Sequence, residues 1–137
     1  MGDNGAMKGR SHTQRTLEEL RKLGRICAIT ERWNPYMRGG KGGRIDLFGF
    51  IDILCLDPEF GIVGIQSCGK SFSAHVNKIT DSECTENVIE WLKAGAKLEL
   101  WGWRKLKLKR GGKAMRWRPR IMDFYWDGEF LRGRERR

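Results

Sequence analysis

Leu17, Leu20 and Leu23 recur at a spacing of three among polar residues and stop at Gly24, which predicts an amphipathic helix over residues 13–23 with Glu18, Glu19, Arg21 and Lys22 facing water. Residues 25–31 place Ile26 and Ile29 in a stretch too short for a second helix, so they read as a first strand. A loop runs from Trp33 through Pro35 to the glycine-rich basic segment 38–44. Two apolar runs follow, 47–56 and 61–68. Asp57 and Pro58 between them mark a turn, so the runs should pair as an antiparallel hairpin buried on both faces. A helical stretch starting at Ser71 or Ser73 breaks around residues 80–82. It resumes with Cys84, Val88, Trp91 and Leu92 on one side, with capping-box spacing between Thr80 and Glu83 and a stop at Gly95. Residues 97–103 alternate as a strand.

A length of 137 residues suits one domain and leaves no room for separate cofactor and substrate domains. Residues 1–12 lack apolar periodicity and read as a flexible tail, 13–104 as the core, and 105–137 as a basic β-hairpin with a C-terminal extension of the same domain. No apolar run reaches the roughly 20 residues of a membrane span, and no secretory leader is visible, so the expectation is a soluble intracellular protein without a membrane partner. Cys27, Cys55, Cys68 and Cys84 form no Cys-x-x-Cys pair and have no histidine at ligand spacing; they read as small buried hydrophobes in a reducing compartment. His12 and His75 have no evident partner and are expected to face solvent.

Charge changes the picture. Residues 1–92 carry 12 basic and 12 acidic side chains, whereas residues 93–137 carry 15 and 5, so the whole net charge of +10 lies in the last third. A basic surface on a neutral body points to a polyanion, because neutralising phosphates releases condensed counterions. Period-two alternation in 105–109 and 115–120, with a turn at Gly111-Gly112, predicts a hairpin that gathers Lys105, Lys107, Lys109, Arg116, Arg118 and Arg120 on one surface, suited to a crossing phosphate backbone. The segment 38–44 lacks the ending of a nucleotide-binding loop and reads instead as a basic flap contributing Lys41 and Arg44. Trp101, Trp103 and Trp117, in or beside the hairpin, offer stacking platforms for single strands or, equally, core aromatics.

Two polar residues interrupt the apolar runs. Asp52 and Gln66 are each flanked by isoleucine where burial is expected, and a buried carboxylate is costly without a cation, a metal or hydrogen-bond donors. With Asp52 in Phe50-Ile-Asp-Ile-Leu54 and Gln66-Ser-Cys68 on the next strand, the order of elements over residues 13–104 resembles the PD-(D/E)xK nuclease superfamily, in particular its small Holliday-junction-resolvase-like branch. The resemblance implies an α/β fold with a restriction-endonuclease-like core of helix, three-stranded meander, helix and strand. It also implies a metal-dependent endonuclease acting on structured or branched DNA, with Mg²⁺ (or Mn²⁺) as cofactor and a homodimer as the working state.

In that pattern Asp52 matches the metal-binding aspartate and Gln66-Ser67-Cys68 falls at Glu-x-Lys, with Gln66 neutral where the family has a carboxylate and Cys68 in place of the lysine. Lys70 or Lys78 would then supply the cation. The first-helix carboxylate maps to Gln14 or, one turn on, Glu18, and Asp46 would share the face of Asp52 on an extended strand. The other readings are a catalytically degenerate nuclease fold that binds DNA without cutting, a non-catalytic nucleic-acid-binding module, and an accessory protein with an exposed apolar face.

Overall fold

The leucine stripe forms helix α1 (His12–Lys22) in a computed structural model that describes residues 10–137. The predicted tail lies outside the described residues as far as residue 9. Its end is ordered: the Ser11 hydroxyl accepts the Gln14 amide at 3.1 Å and starts the helix one residue early, at His12. Thr16, Leu17 and Leu20 turn inward, whereas Leu23 stays exposed. His12 is half-buried, edge-on to the Trp117 ring at 5.9 Å, and not solvent-facing as expected.

Then come β1 (Ile26–Ile29), β2 (Arg32–Asn34), β3 (Gly43–Ile45), β4 (Ile53–Asp57), β5 (Gly61–Cys68), helices α2 (Phe72–Thr80) and α3 (Thr85–Lys93), and strands β6 (Lys97–Lys107), β7 (Met115–Trp126) and β8 (Leu131–Glu135). Six strands form one mixed sheet in the order β1-β4-β5-β6-β7-β8, antiparallel except for β5 and β6, while β2 and β3 form a separate two-stranded ribbon. The parallel pair requires a crossover, and α2 and α3 supply it. The fold is therefore mixed α/β, with three α-helices among the described residues.

Side-chain alternation sorts the sheet into two faces. Leu17 and Leu20 of α1 cover Ile53, Cys55, Val63, Ile65, Trp101 and Trp103 on one side. Phe72, Ile79 and Val88 of the other helices cover Cys68, Leu98, Leu100 and Phe124 on the opposite side.

Four expectations need correcting. The run 47–56 is not one strand: residues 47–51 fold back in a tight loop, closed by Leu47 N–H to Ile51 C=O at 2.9 Å and Gly49 N–H to Asp46 C=O at 3.0 Å, with Gly49 at φ +89°. Thr80 ends α2 and does not cap α3; its hydroxyl donates to Val76 C=O, and Thr85 begins the next helix. The strand expected over residues 97–103 does not end there, because β6 runs on to Lys107 and into the hairpin without a break, and the C-terminal extension adds β8 to the sheet.

The fourth correction concerns the six hairpin cations, which do not share a surface. Lys105 pairs with Trp117 and Lys107 with Met115, whereas Arg104 pairs with Arg118 and Leu106 with Arg116. Residues directly opposite share a face, so Lys105 and Lys107 lie on the α1 side, with the Lys105 ammonium 5.2 Å from the Trp117 ring centroid. Arg116, Arg118 and Arg120 lie with Arg104 on the other side. Lys109 belongs to the connecting turn.

Candidate metal centre

The 47–51 loop is what builds the site. By reversing the chain it returns Asp52 to Asp46, so these two meet across a turn and not along an extended strand. Thr30 and Glu31, just beyond β1, donate their amides to the Asp52 carbonyl at 2.8 and 3.3 Å, which fixes the Glu31 side chain beside the pair. Glu31, Asp46 and Asp52 each offer a carboxylate oxygen, and these oxygens all lie within 4.8 Å of one another.

Gln66 projects from β5 on the α2/α3 face, opposite in sense to Ser67, whose hydroxyl meets Thr16 of α1 at 2.9 Å. The Gln66 Nε2 donates to Asp52 Oδ2 at 2.6 Å and to Asp46 Oδ2 at 3.2 Å, and Ser67 N–H donates to Asp52 Oδ2 at 2.8 Å. Lys78 of α2 completes the cluster, its Nζ 2.8 Å from Asp46 Oδ2. The Gln66 Oε1 is buried with no hydrogen-bond partner, in a side chain that is 2% exposed. A buried carbonyl left unpaired costs about 1–3 kcal/mol.

Electrostatics follow from this crowding. Burial first, and then the adjoining Asp46 carboxylate, push Asp52 up to about 8. Burial acts on Asp46 in the same direction but is outweighed by hydrogen bonds from Asp52 and Lys78, so Asp46 stays below the ordinary carboxylate range. Two carboxyls that share a site oppose each other's ionisation, and burial with the Asp46 charge favours the neutral form of Asp52. Cys68, on the same face as Gln66, is pushed up to about 11, chiefly by burial and then by Asp52, so it is a neutral thiol and cannot do a lysine's work.

The donor set fits a hard divalent cation. Neighbouring oxygens on one octahedral Mg²⁺ at about 2.1 Å stand about 3.0 Å apart, so carboxylate oxygens that lie within 4.8 Å of one another would close by up to about 1.8 Å, which side-chain rotation can supply. A half-turn of the Gln66 amide would exchange its NH₂ for Oε1 and add a fourth oxygen, at the cost of the two bonds the NH₂ now donates to Asp52 and Asp46.

Of the residues singled out from sequence, Asp52, Gln66, Asp46 and Lys78 come together. Glu18 does not: α1 packs on the far face of the sheet, and Glu18 is engaged by Arg10. Gln14 is exposed on the same helix. Lys70 is exposed in the bend after β5 and makes no hydrogen bond or ion pair with the site. Arg44 pairs with Glu31 at 3.3 Å, and Lys41 is exposed in the turn of the β2–β3 ribbon. Glu31 was not anticipated; its one sequence signal is an acidic residue between the first strand and the glycine-rich segment.

The α2/α3 face of the sheet links this cluster to the arginines. Cys68 stands beside Gly102, and Gly102 beside Arg120. Phe72 lies on Gly102, where a Cβ would come within 2.4 Å of the ring, and the Arg120 guanidinium stacks over Phe72 at 4.0 Å. Arg120 is also held bidentately by Glu135, at 2.9 Å for both bonds. Arg104, Arg116 and Arg118 have no ion-pair partner among the described residues. With strands about 4.8 Å apart, the arginine strand stands roughly 10 Å from β5.

A cavity of about 800 Å³ lies at the opposite end of the sheet. Arg25, Asp57, Glu99 and Arg136 line it and are already paired with one another. Compared with known proteins, the chain matches no family model, no curated protein and no solved structure.

Proposed function

We propose that the chain is a metal-dependent endonuclease of PD-(D/E)xK type acting on DNA, with Glu31, Asp46 and Asp52 as cation ligands, Gln66 as a neutral fourth, and Lys78 in the part of the missing motif lysine. The observation that carries this reading is the gathering of three carboxylates, two of them bonded by a buried amide whose carbonyl has no partner. The element order supports it as well: a helix, the antiparallel strands β1, β4 and β5, a crossover, and β6 parallel to β5 correspond to a restriction-endonuclease-like core with the β2–β3 ribbon inserted. A bound divalent cation would supply Lewis-acid polarisation of the phosphate and activation of the attacking water. The chain itself orients: Ser67 N–H and the two backbone amides at 30 and 31 hold Asp52 from both ends, and Lys78 keeps Asp46 ionised while placing a positive charge where phosphate charge would develop.

The test is cleavage of branched, duplex and single-stranded DNA with Mg²⁺ or Mn²⁺. Cleavage is expected to stop in EDTA, to fall by at least about 100-fold in Asp52→Asn and Lys78→Met, and to persist in Lys70→Met. Cleavage unchanged in Asp52→Asn would place the chemistry elsewhere. A second reading, a nuclease fold that binds DNA without cutting it, is favoured by the buried Cys68 thiol at the motif lysine position; DNA binding with no cleavage under any cation would select it.

The two faces of the hairpin separate binding from solubility. Glutamine at Arg104, Arg116 and Arg118, on the side of the carboxylates, is expected to weaken DNA binding across sequences and to lower the salt slope by about 1 per residue, whereas glutamine at Lys105 and Lys107 should change it much less. Equal losses from both sets, read by fluorescence anisotropy over a salt series, would argue against a DNA path along the arginine face.

A further inference from the structure

The β2–β3 ribbon that brings Glu31 and Asp46 to the cluster also carries an aromatic platform that the carboxylate chemistry does not use. Trp33 pairs with Arg44, so both occupy one face of the ribbon. Continuing the alternation by one residue at each end puts Glu31 and Asp46 on that same face, and the Arg44–Glu31 ion pair at 3.3 Å agrees. The Trp33 indole lies against Gly42: a Cβ there would come within 2.2 Å of the ring, and the φ of +85° also requires glycine. One side of the indole is thus backed by main chain while the residue remains 61% exposed. Tyr36, three residues on, is 88% exposed, and Arg38 and Lys41 stand exposed in the same turn. At about 3.3 Å per strand residue, Trp33 is roughly 7 Å along the ribbon from Glu31, the rise of about two nucleotides in a strand.

A base inside a duplex has both faces occupied by its neighbours, so a protein ring can stack only on a base that is unpaired or terminal. Basic residues alone would not make that distinction; a rigidly backed indole beside them does. We infer that Trp33, assisted by Tyr36, stacks an unpaired nucleobase of the substrate, with Arg38 and Lys41 on the flanking phosphates, so that the strand entering the carboxylate cluster is single-stranded or locally unpaired. The position of that base relative to a scissile phosphate rests on the nuclease reading; the stacking does not.

The experiment uses the full chain carrying Asp52→Asn, which is expected to suppress cleavage while leaving the Trp33, Tyr36, Arg38 and Lys41 side chains in place, and compares a short labelled oligothymidylate with a duplex of equal length by fluorescence anisotropy. Trp33→Leu is expected to weaken single-strand binding by about 5- to 100-fold and duplex binding by less than about twofold, and Trp33→Phe to retain most of the single-strand affinity. Tyr36→Ser, at a position without packing, should give a smaller loss in the same direction. A strand containing 2-aminopurine should lose emission on binding in the presence of Trp33 and keep it in Trp33→Leu. Equal losses on single strand and duplex, or no effect of Trp33→Leu on either readout, would overturn the inference. Wild-type chain that fails to cleave while the stacking signals persist would remove the nuclease reading and leave this one; cleavage indifferent to Trp33 would do the reverse.

Discussion

Gln66→Glu is expected to make folding depend on a divalent cation. In the native chain the Gln66 amide donates to Asp52 Oδ2 at 2.6 Å and to Asp46 Oδ2 at 3.2 Å, so one neutral side chain relieves two carboxyls at once. Glutamate cannot donate when ionised, and it would bring a further negative charge into a position 2% exposed. An uncompensated buried charge costs about 3–5 kcal/mol, which for a domain of this size lowers Tm by on the order of 10 °C. Saturating Mg²⁺ or Mn²⁺ should reverse the loss: the variant offers a hard anionic oxygen where the native chain offers an amide, and ligand at 100 times its Kd stabilises by about 2.7 kcal/mol. Thermal melts of wild type, Gln66→Glu and Gln66→Leu in EDTA and in each cation would read this directly. The leucine variant removes the donor without adding charge, so it should lose stability in EDTA and recover little with metal. A glutamate variant that melts like wild type in EDTA and ignores cations would mean that the cluster holds none.

Such a variant tests the part of the site that was visible in the sequence. Asp52 and Gln66 could be found because an acid and an amide flanked by isoleucines break an apolar strand pattern, and burial of a polar group calls for a partner. Lys78 could be named only as one of two lysines, since whether Lys70 or Lys78 turns inward depends on where α2 starts. Asp46 was in view for the wrong geometry: period-two arithmetic put it on the face of Asp52 by extending the strand, whereas Phe48 at φ 56° and Gly49 at φ +89° reverse the chain. Glu31 was hidden because its place depends on the Asp52 carbonyl accepting two amides, a tertiary contact with no local pattern.

The hairpin failed differently. Alternation within each strand was right, but the pairing between strands is set by the turn, and here Leu108 N–H bonds to Ala114 C=O and Lys107 faces Met115. Because the side-chain period is two, a shift of one residue moves a whole row to the other face. That shift separates the lysines from the arginines and sets Arg116, Arg118 and Arg120 with Arg104 on the face that holds Asp52 and Gln66.

Glu99→Gln is expected to cost about 3–5 kcal/mol, or on the order of 10 °C in Tm, without touching the carboxylate cluster. Glu99 and Arg25 are 5% and 4% exposed at their side chains, joined by two parallel bonds of 2.9 Å. Trp101 Nε1 donates to Glu99 Oε1 and Arg136 to Oε2, each at 2.9 Å, while Arg25 Nε reaches Asp57 at 2.7 Å. The network ties the end of α1 to β4, β6 and the chain terminus, at the end of the sheet remote from the proposed chemistry. Burial opposes ionisation of Glu99, but the Arg25 and Trp101 hydrogen bonds outweigh it, and its pKa lies below the ordinary value. A depressed acid stabilises above its unfolded pKa of about 4.3, and that contribution disappears as pH falls from there through the folded value. Wild type should therefore lose stability on acidification through this window, and Glu99→Gln, which has already lost the charge, should show a flatter profile below about pH 4.3. Urea melts across pH 3–7 would measure both, and parallel profiles for the two proteins would mean that the ion network adds nothing that a neutral amide cannot replace.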